Sequence, residues 1–172
     1  MAWVSPPAWS ANLVTVTAFN QYIRANTLAL KDPPSGLSYV SGRDYQVAGL
    51  GAFTAVDTAL ADGAFQHSIA IAGNFAKVTF LGSVQTKVNN GQLAFNIAVG
   101  GVDYFPAPGI AMWDATAQSG NVMPIAFTVM LTGLSPGANT FRLEWSATHT
   151  AFLMQCTGAS ASPAMFYVTE AP

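Results

Sequence analysis

The side chains best equipped for proton transfer, metal binding or nucleophilic attack in this 172-residue chain are two histidines, eight carboxylates and one cysteine. His67 and His149 are far apart in sequence, and no HxH, HxxxH or HExxH spacing occurs, so no zinc-type centre is expected. The acids are Asp32, Asp44, Asp57, Asp62, Asp103, Asp114, Glu144 and Glu170, and none forms a DxDxDG calcium loop. A glycosidase pair needs only closeness in space, and Asp57 with Asp62, or Asp103 with Asp114, are the pairs such a reading would use. No GxSxG elbow, Walker loop or GxGxxG turn is present, so no cofactor and no enzyme activity are expected. His67 alternates with Phe65 and Ile69, which makes it a strand residue on the core side or in an interface. Cys156 closes an apolar run from Ala151 and reads as a buried thiol, and a lone cysteine excludes an intrachain disulfide. Arg142 and Glu144 stand two apart, a spacing that suits cross-strand ion pairing on an exposed face. Tyr104, Phe105, Trp113 and Asp114 bracket the 100–115 connection. They suit stacking on a sugar ring and equally suit capping one end of a β-sandwich.

Composition narrows the setting. Hydrophobic residues make up 51% and charged residues 8%, against about 25% charged in an average domain. So few charges suggest that part of the surface is buried against other copies or other chains. The net charge is −2, and the six Lys and Arg are scattered from Arg24 to Arg142, which argues against a nucleic-acid partner. The opening MAWVSPP lacks the basic and apolar regions of a signal peptide. The longest uncharged run, Ala115 to Phe141, is broken by Gly120, Pro124, Gly133, Pro136 and Gly137, so no membrane insertion is expected.

The elements that must position these residues are mostly strands. The clearest follows the turn Ser135-Pro136-Gly137: Phe141, Leu143, Trp145 and Ala147 fall on one face, and Arg142, Glu144, Ser146 and Thr148 on the other. This strand should be central, with its polar face wet. Residues 1–14 read as an extended arm with Trp3 and Trp9, which should lodge against a partner or the body. Residues 15–31 form the single convincing helix, with a stripe of Phe19, Tyr22, Ile23 and Leu30. Asp32-Pro33-Pro34-Ser35-Gly36 stops it as a stiff linker. Strands are expected over 38–47, 51–60, 65–71, 75–81, 83–88, 93–99, 102–105, 122–131, 151–156 and 164–169. Gly82 should end one of them, Asn89-Asn90-Gly91 should make a hairpin, and Pro106 to Gly120 should be the longest exposed loop. The fold class is mainly β, an antiparallel sandwich (jelly roll) over 37–172, preceded over 1–36 by an arm and one short α-helix.

Two stretches carry a resemblance. Val16, Thr17, Asn20, Tyr22, Ile23, Arg24, Asn26, Leu28, Leu30, Lys31, Pro33 and Pro34 resemble a segment of tailed-bacteriophage structural proteins. Gly137 to Trp145 and Met165 to Val168 are similar to the closing strands of phage jelly-roll domains of the C1q/TNF-like kind. The resemblance implies a non-enzymatic virion protein of minor-tail or tail-fibre type, assembled in the host cytoplasm. It implies an N-terminal region that docks on other virion proteins and a jelly roll that forms a homotrimer. The docking and oligomer residues would be Trp3, Trp9, Phe19, Tyr22, Ile23 and Arg24. A capsid-decoration or head-fibre protein, or an adhesin binding a host surface glycan through Tyr104, Trp113 and Asp114, are the other roles it leaves open.

Overall fold

The structure, a computed structural model, describes residues 33–47, 50–58, 62–86, 91–115, 122–156 and 163–171. The arm, the helix and the six docking residues named above lie outside them. The described chain forms twelve strands in two six-stranded antiparallel sheets. The first sheet holds β1 (Ser35–Val40), β12 (Ala164–Glu170), β5 (Ala76–Thr86) and β9 (Val122–Leu131) side by side. There β11 (Phe152–Met154) continues along β5 and carries β2 (Tyr45–Gln46). In the second sheet, β4 (Gln66–Ile71) and β3 (Thr54–Ala55) share one edge of β10 (Gly137–Ala147). The other edge of β10 takes β6 (Gly91–Val99), which carries β7 (Val102–Asp103) and β8 (Ala111–Ala115). Successive long strands alternate between sheets, which is the path of a jelly roll.

Alternation explains the core. Phe141, Leu143, Trp145 and Ala147 all point inward and are buried, as the sequence predicts, and β10 is central in its sheet. Phe80 on β5 gathers Phe65, Phe95 and Phe127 at 6.3, 5.5 and 5.4 Å between ring centres. These rings join both sheets, so the core is one aromatic-rich layer between them.

Several local expectations are corrected. Ser35 and Gly36 are not linker but the start of β1, paired with Thr169 and Val168. Among the described residues of 51–60, Thr54 and Ala55 alone pair as strand. Gly82 does not end a strand: β5 runs through it, and a Cβ there would stand 2.6 Å from the Phe80 ring. Glycine is used at that position to let the ring lie over the backbone. The Asn-Gly hairpin fails as well. Residues 87–90 lie outside the described residues, but the strands they join, β5 and β6, belong to different sheets. The tight hairpin is instead Gly100-Gly101 between β6 and β7, with φ of 60° and 84°, the positive values that a two-residue turn of this hand requires. Finally, 106–120 is not all loop, because Ala111–Ala115 pairs with β6 as β8.

Candidate assembly surface

The outer face of the first sheet is built from the outward residues of four long strands. Register aligns them in rows: Tyr39, Met165, Leu81 and Ala126; then Leu37, Tyr167, Thr79 and Thr128; then Ser35, Thr169, Lys77 and Met130. Lys77 is the charged residue in these rows. Tyr39 is 69% exposed, Leu37 60%, Met130 51% and Leu81 42%, so the face is apolar where a lone globule would carry charge. Thr79 and Thr128 tie β5 to β9 by a 3.0 Å hydroxyl bond. β9 then ends the sheet: among the described residues it pairs with β5 alone. Its inward residues Ile125, Phe127 and Val129 are only half-buried, so the core is open along this edge.

The second sheet holds the polar chemistry. The Arg142 guanidinium bonds Glu144 through both Nε, at 3.0 Å, and Nη2. This is an ion pair along one strand, not across two, and Glu144 is buried, so the polar face of β10 is not simply wet. Burial raises the Glu144 carboxyl above its ordinary pKa, with the Asp103 carboxyl adding to the rise and Arg142 opposing it. Beside it, Asn96 Nδ2 donates to the Phe105 carbonyl at 2.9 Å. The 104–110 excursion is thereby fixed to the sheet, together with Ile110 N–H donating to Phe95 O at 2.8 Å. Nothing in the sequence spacing paired Asp103 with Glu144, because the meeting depends on β6 lying between β10 and β7.

His67 joins the two sheets at the opposite edge. Its ring stacks on Phe166 at 5.7 Å, and Nε2 meets the Ser38 hydroxyl at 3.1 Å. Burial lowers its pKa, against a bond to the Phe166 backbone that raises it. The core-side reading of His67 therefore holds, as a neutral ring packed between β4, β1 and β12. A depressed folded-state pKa means that its stabilising contribution is complete above the ordinary value of 6.5 and is lost as pH falls below it. The raised Glu144 acts in the opposite sense, its contribution being lost as pH rises above 4.5. Thermal melts of wild type and His67→Gln between pH 7.5 and about 5 separate the two: the advantage of the wild type should shrink on acidification. An advantage constant with pH contradicts this role for His67.

The remaining candidates are dispersed. Asp62 accepts from Tyr45 Oη at 3.0 Å, from Ala64 N–H at 2.9 Å and from Arg43 at 3.0 Å, and Arg43 lies 5.7 Å over the Tyr45 ring. Burial, then Asp62, pushes the Tyr45 hydroxyl up. Asp57 is buried. Asp103 and Asp114 are registered opposite Ala98 and Gln92 of β6, about 20 Å apart along the strand. Tyr104 N–H bonds Ile97 O, while Trp113 is registered opposite Leu93, an offset of about 13 Å. Tyr104 is also engaged: its hydroxyl donates to Thr132 O at 2.7 Å and accepts from Thr132 N–H at 2.6 Å. His149 follows β10 as an exposed residue, and Cys156 is a buried free thiol. Among the described residues no three His, Cys, Asp or Glu side chains cluster as metal ligands, and no helix is long and apolar enough to cross a membrane.

The architecture is thus a two-sheet jelly roll whose most distinctive surface is a charge-poor sheet face with an edge that no other described strand covers. No family model and no curated protein matches the chain. Solved structures do. The infectious bursal disease virus VP2 subviral particle superposes with a TM-score of 0.50 and 12% identity, over 81% of this chain and 33% of that one. The Gt strain of the same virus gives a TM-score of 0.48 at 12% identity, over 81% and 34%. This chain spans about a third of the length of those chains. At such identity the likeness shows a shared sandwich fold.

Proposed function

We propose that this chain is a non-enzymatic structural protein of a virion. Its jelly roll assembles with further copies, and the N-terminal arm and helix expected before β1 attach it to neighbouring virion proteins. The observation that carries the reading is the face made by β1, β12, β5 and β9, where exposed Leu37, Tyr39, Leu81 and Met130 surround the single charge of Lys77. Such a surface is stable in water when other protein covers it. The fold agrees, since a chain of similar architecture comes from a subviral particle. The resemblance over Val16 to Pro34 favours a tail or tail-fibre position on a bacteriophage over capsid decoration, and the closing strands favour a three-fold unit as the building block of the assembly.

The attachment role is tested by removing residues 1–14, with Trp3 and Trp9. The shortened chain should fold and self-associate as before yet be missing from purified particles. Undiminished incorporation would remove the docking role.

A further inference from the structure

We propose that the free edge of β9 is a two-fold seam. A second copy of this chain adds its own β9 there, antiparallel, so that the two first sheets run on into one. The inference rests on the self-assembly reading above and names its contact.

β9 is ten residues long, VMPIAFTVML, with no charged side chain. Exposed edge strands normally carry lysine, proline, bulges or inward charges that block pairing, and β9 has no charged side chain along its ten residues. It does carry Pro124, which lacks an N–H and is tolerated within a strand only where its nitrogen faces away from the ladder. The nitrogen of Pro124 therefore addresses the free edge. Residues of an antiparallel strand alternate in the edge they address. Ala126, Thr128 and Met130 thus present N–H and C=O groups outward, and Ile125, Phe127 and Val129 serve the ladder with β5.

This parity also sets the register. With the two-fold axis at Thr128, that residue faces its own copy and Ala126 faces the partner's Met130. Pro124 then falls opposite Thr132, past the end of β9, where no ladder bond is needed. An axis at Ala126 would set Pro124 against Thr128 and leave a carbonyl without its donor.

Size and charge agree with a second copy as occupant. The strand is about 33 Å long, and the sandwich edge is roughly 20 Å deep with its side chains, which gives about 660 Å² per copy. A standard interface buries about 800 Å² per partner. The nearest charge on the face, Lys77, sits one strand in on β5, registered opposite Met130. Across the seam the two Lys77 side chains are about 14 Å apart or more, beyond the ~8 Å screening length at physiological salt. The added strand also covers the half-buried Ile125, Phe127 and Val129.

Light scattering of the full chain reads the seam directly. The wild type should show an even number of copies, six where three-fold units pair through the seam, and Thr128→Pro, which spares the backbone ladder with β5 and loses only the hydroxyl bond to Thr79, should halve the mass with unchanged circular dichroism. Val102→Lys, on an exposed residue of the other sheet, should leave the mass unchanged. If Thr128→Pro fails to fold, cysteine pairing in a Cys156→Ser background gives the answer. Thr128→Cys should oxidise to a covalent dimer, and Ala126→Cys and Met130→Cys should cross-link only when mixed. A monomeric wild type overturns both the seam and self-assembly. An odd number of copies, an unchanged mass for a folded Thr128→Pro, or cross-linking by Ala126→Cys alone overturns the seam and leaves self-assembly standing.

Discussion

Trp145→Ala should lower the free energy of unfolding by about 3–5 kcal/mol, the range for removing a large aromatic from a packed core. Trp145 lies in β10, the central strand of the second sheet, registered between Phe95 and Thr54. It is fully buried, with its ring 6.5 Å from that of Phe95. Strands on both sides hold the surrounding backbone, so the site has little freedom to collapse into the space left. For a chain of this size the loss corresponds to roughly 6–20 °C in melting temperature. Denaturant unfolding with an unchanged m-value checks it, and a loss under about 1 kcal/mol would show that the strand is not the centre of the core.

Gly109→Ala should cost about 2–6 kcal/mol, combining a strained left-handed backbone with overpacking. Gly109 has φ of 95°, and a Cβ there would collide with the Phe95 carbonyl oxygen. That oxygen also accepts the Ile110 N–H. Relief therefore requires the 104–110 excursion to leave β6, with loss of the Asn96 bond to Phe105. Gly42→Ala is the matched comparison. Its φ is 80° but nothing lies within 4 Å of the added Cβ, so only the backbone strain of about 1–2 kcal/mol applies. Equal losses at the two positions would show that the close approach to β6 contributes nothing.

Strand identity was legible wherever one face is buried. The alternations in β4, β6, β9, β10 and β12 appear as period-two patterns because their inward residues meet one core. Sheet membership was not legible. Asn89-Asn90-Gly91 signals a change of direction, and here the strands on either side of it belong to opposite sheets. Gly82 misled for a related reason, since its role depends on a ring two residues away turning over it. β8 escaped notice because the Pro106-Ala107-Pro108-Gly109 run before it reads as loop.

The functional surface was half visible. Low overall charge pointed to covered area, and the uncharged run from Ala115 to Phe141 contains all of β9. Its alternation gives the strand over 122–131, while the edge position that a proline within a strand implies becomes visible only with the sheet order. The Asp103–Glu144–Arg142 cluster could not be anticipated, because its members meet only through the order β10, β6, β7.

The two readings of the surface act together. A sandwich that buries Phe80, Phe95 and Trp145 between its sheets still leaves Leu37, Tyr39, Leu81 and Met130 outside. Those outer residues add nothing to the buried core of one copy, and in the proposed assembly other protein covers them. Imaging the particle that incorporates this chain, by electron microscopy of virions carrying an antibody-accessible tag after residue 171, tests the central claim most directly. Symmetry-related copies of the jelly roll should stand at fixed positions on the particle, with the β1–β12–β5–β9 face turned toward other protein. Particles that are complete without the chain, or copies whose β1–β12–β5–β9 face is bare to solvent, would contradict it.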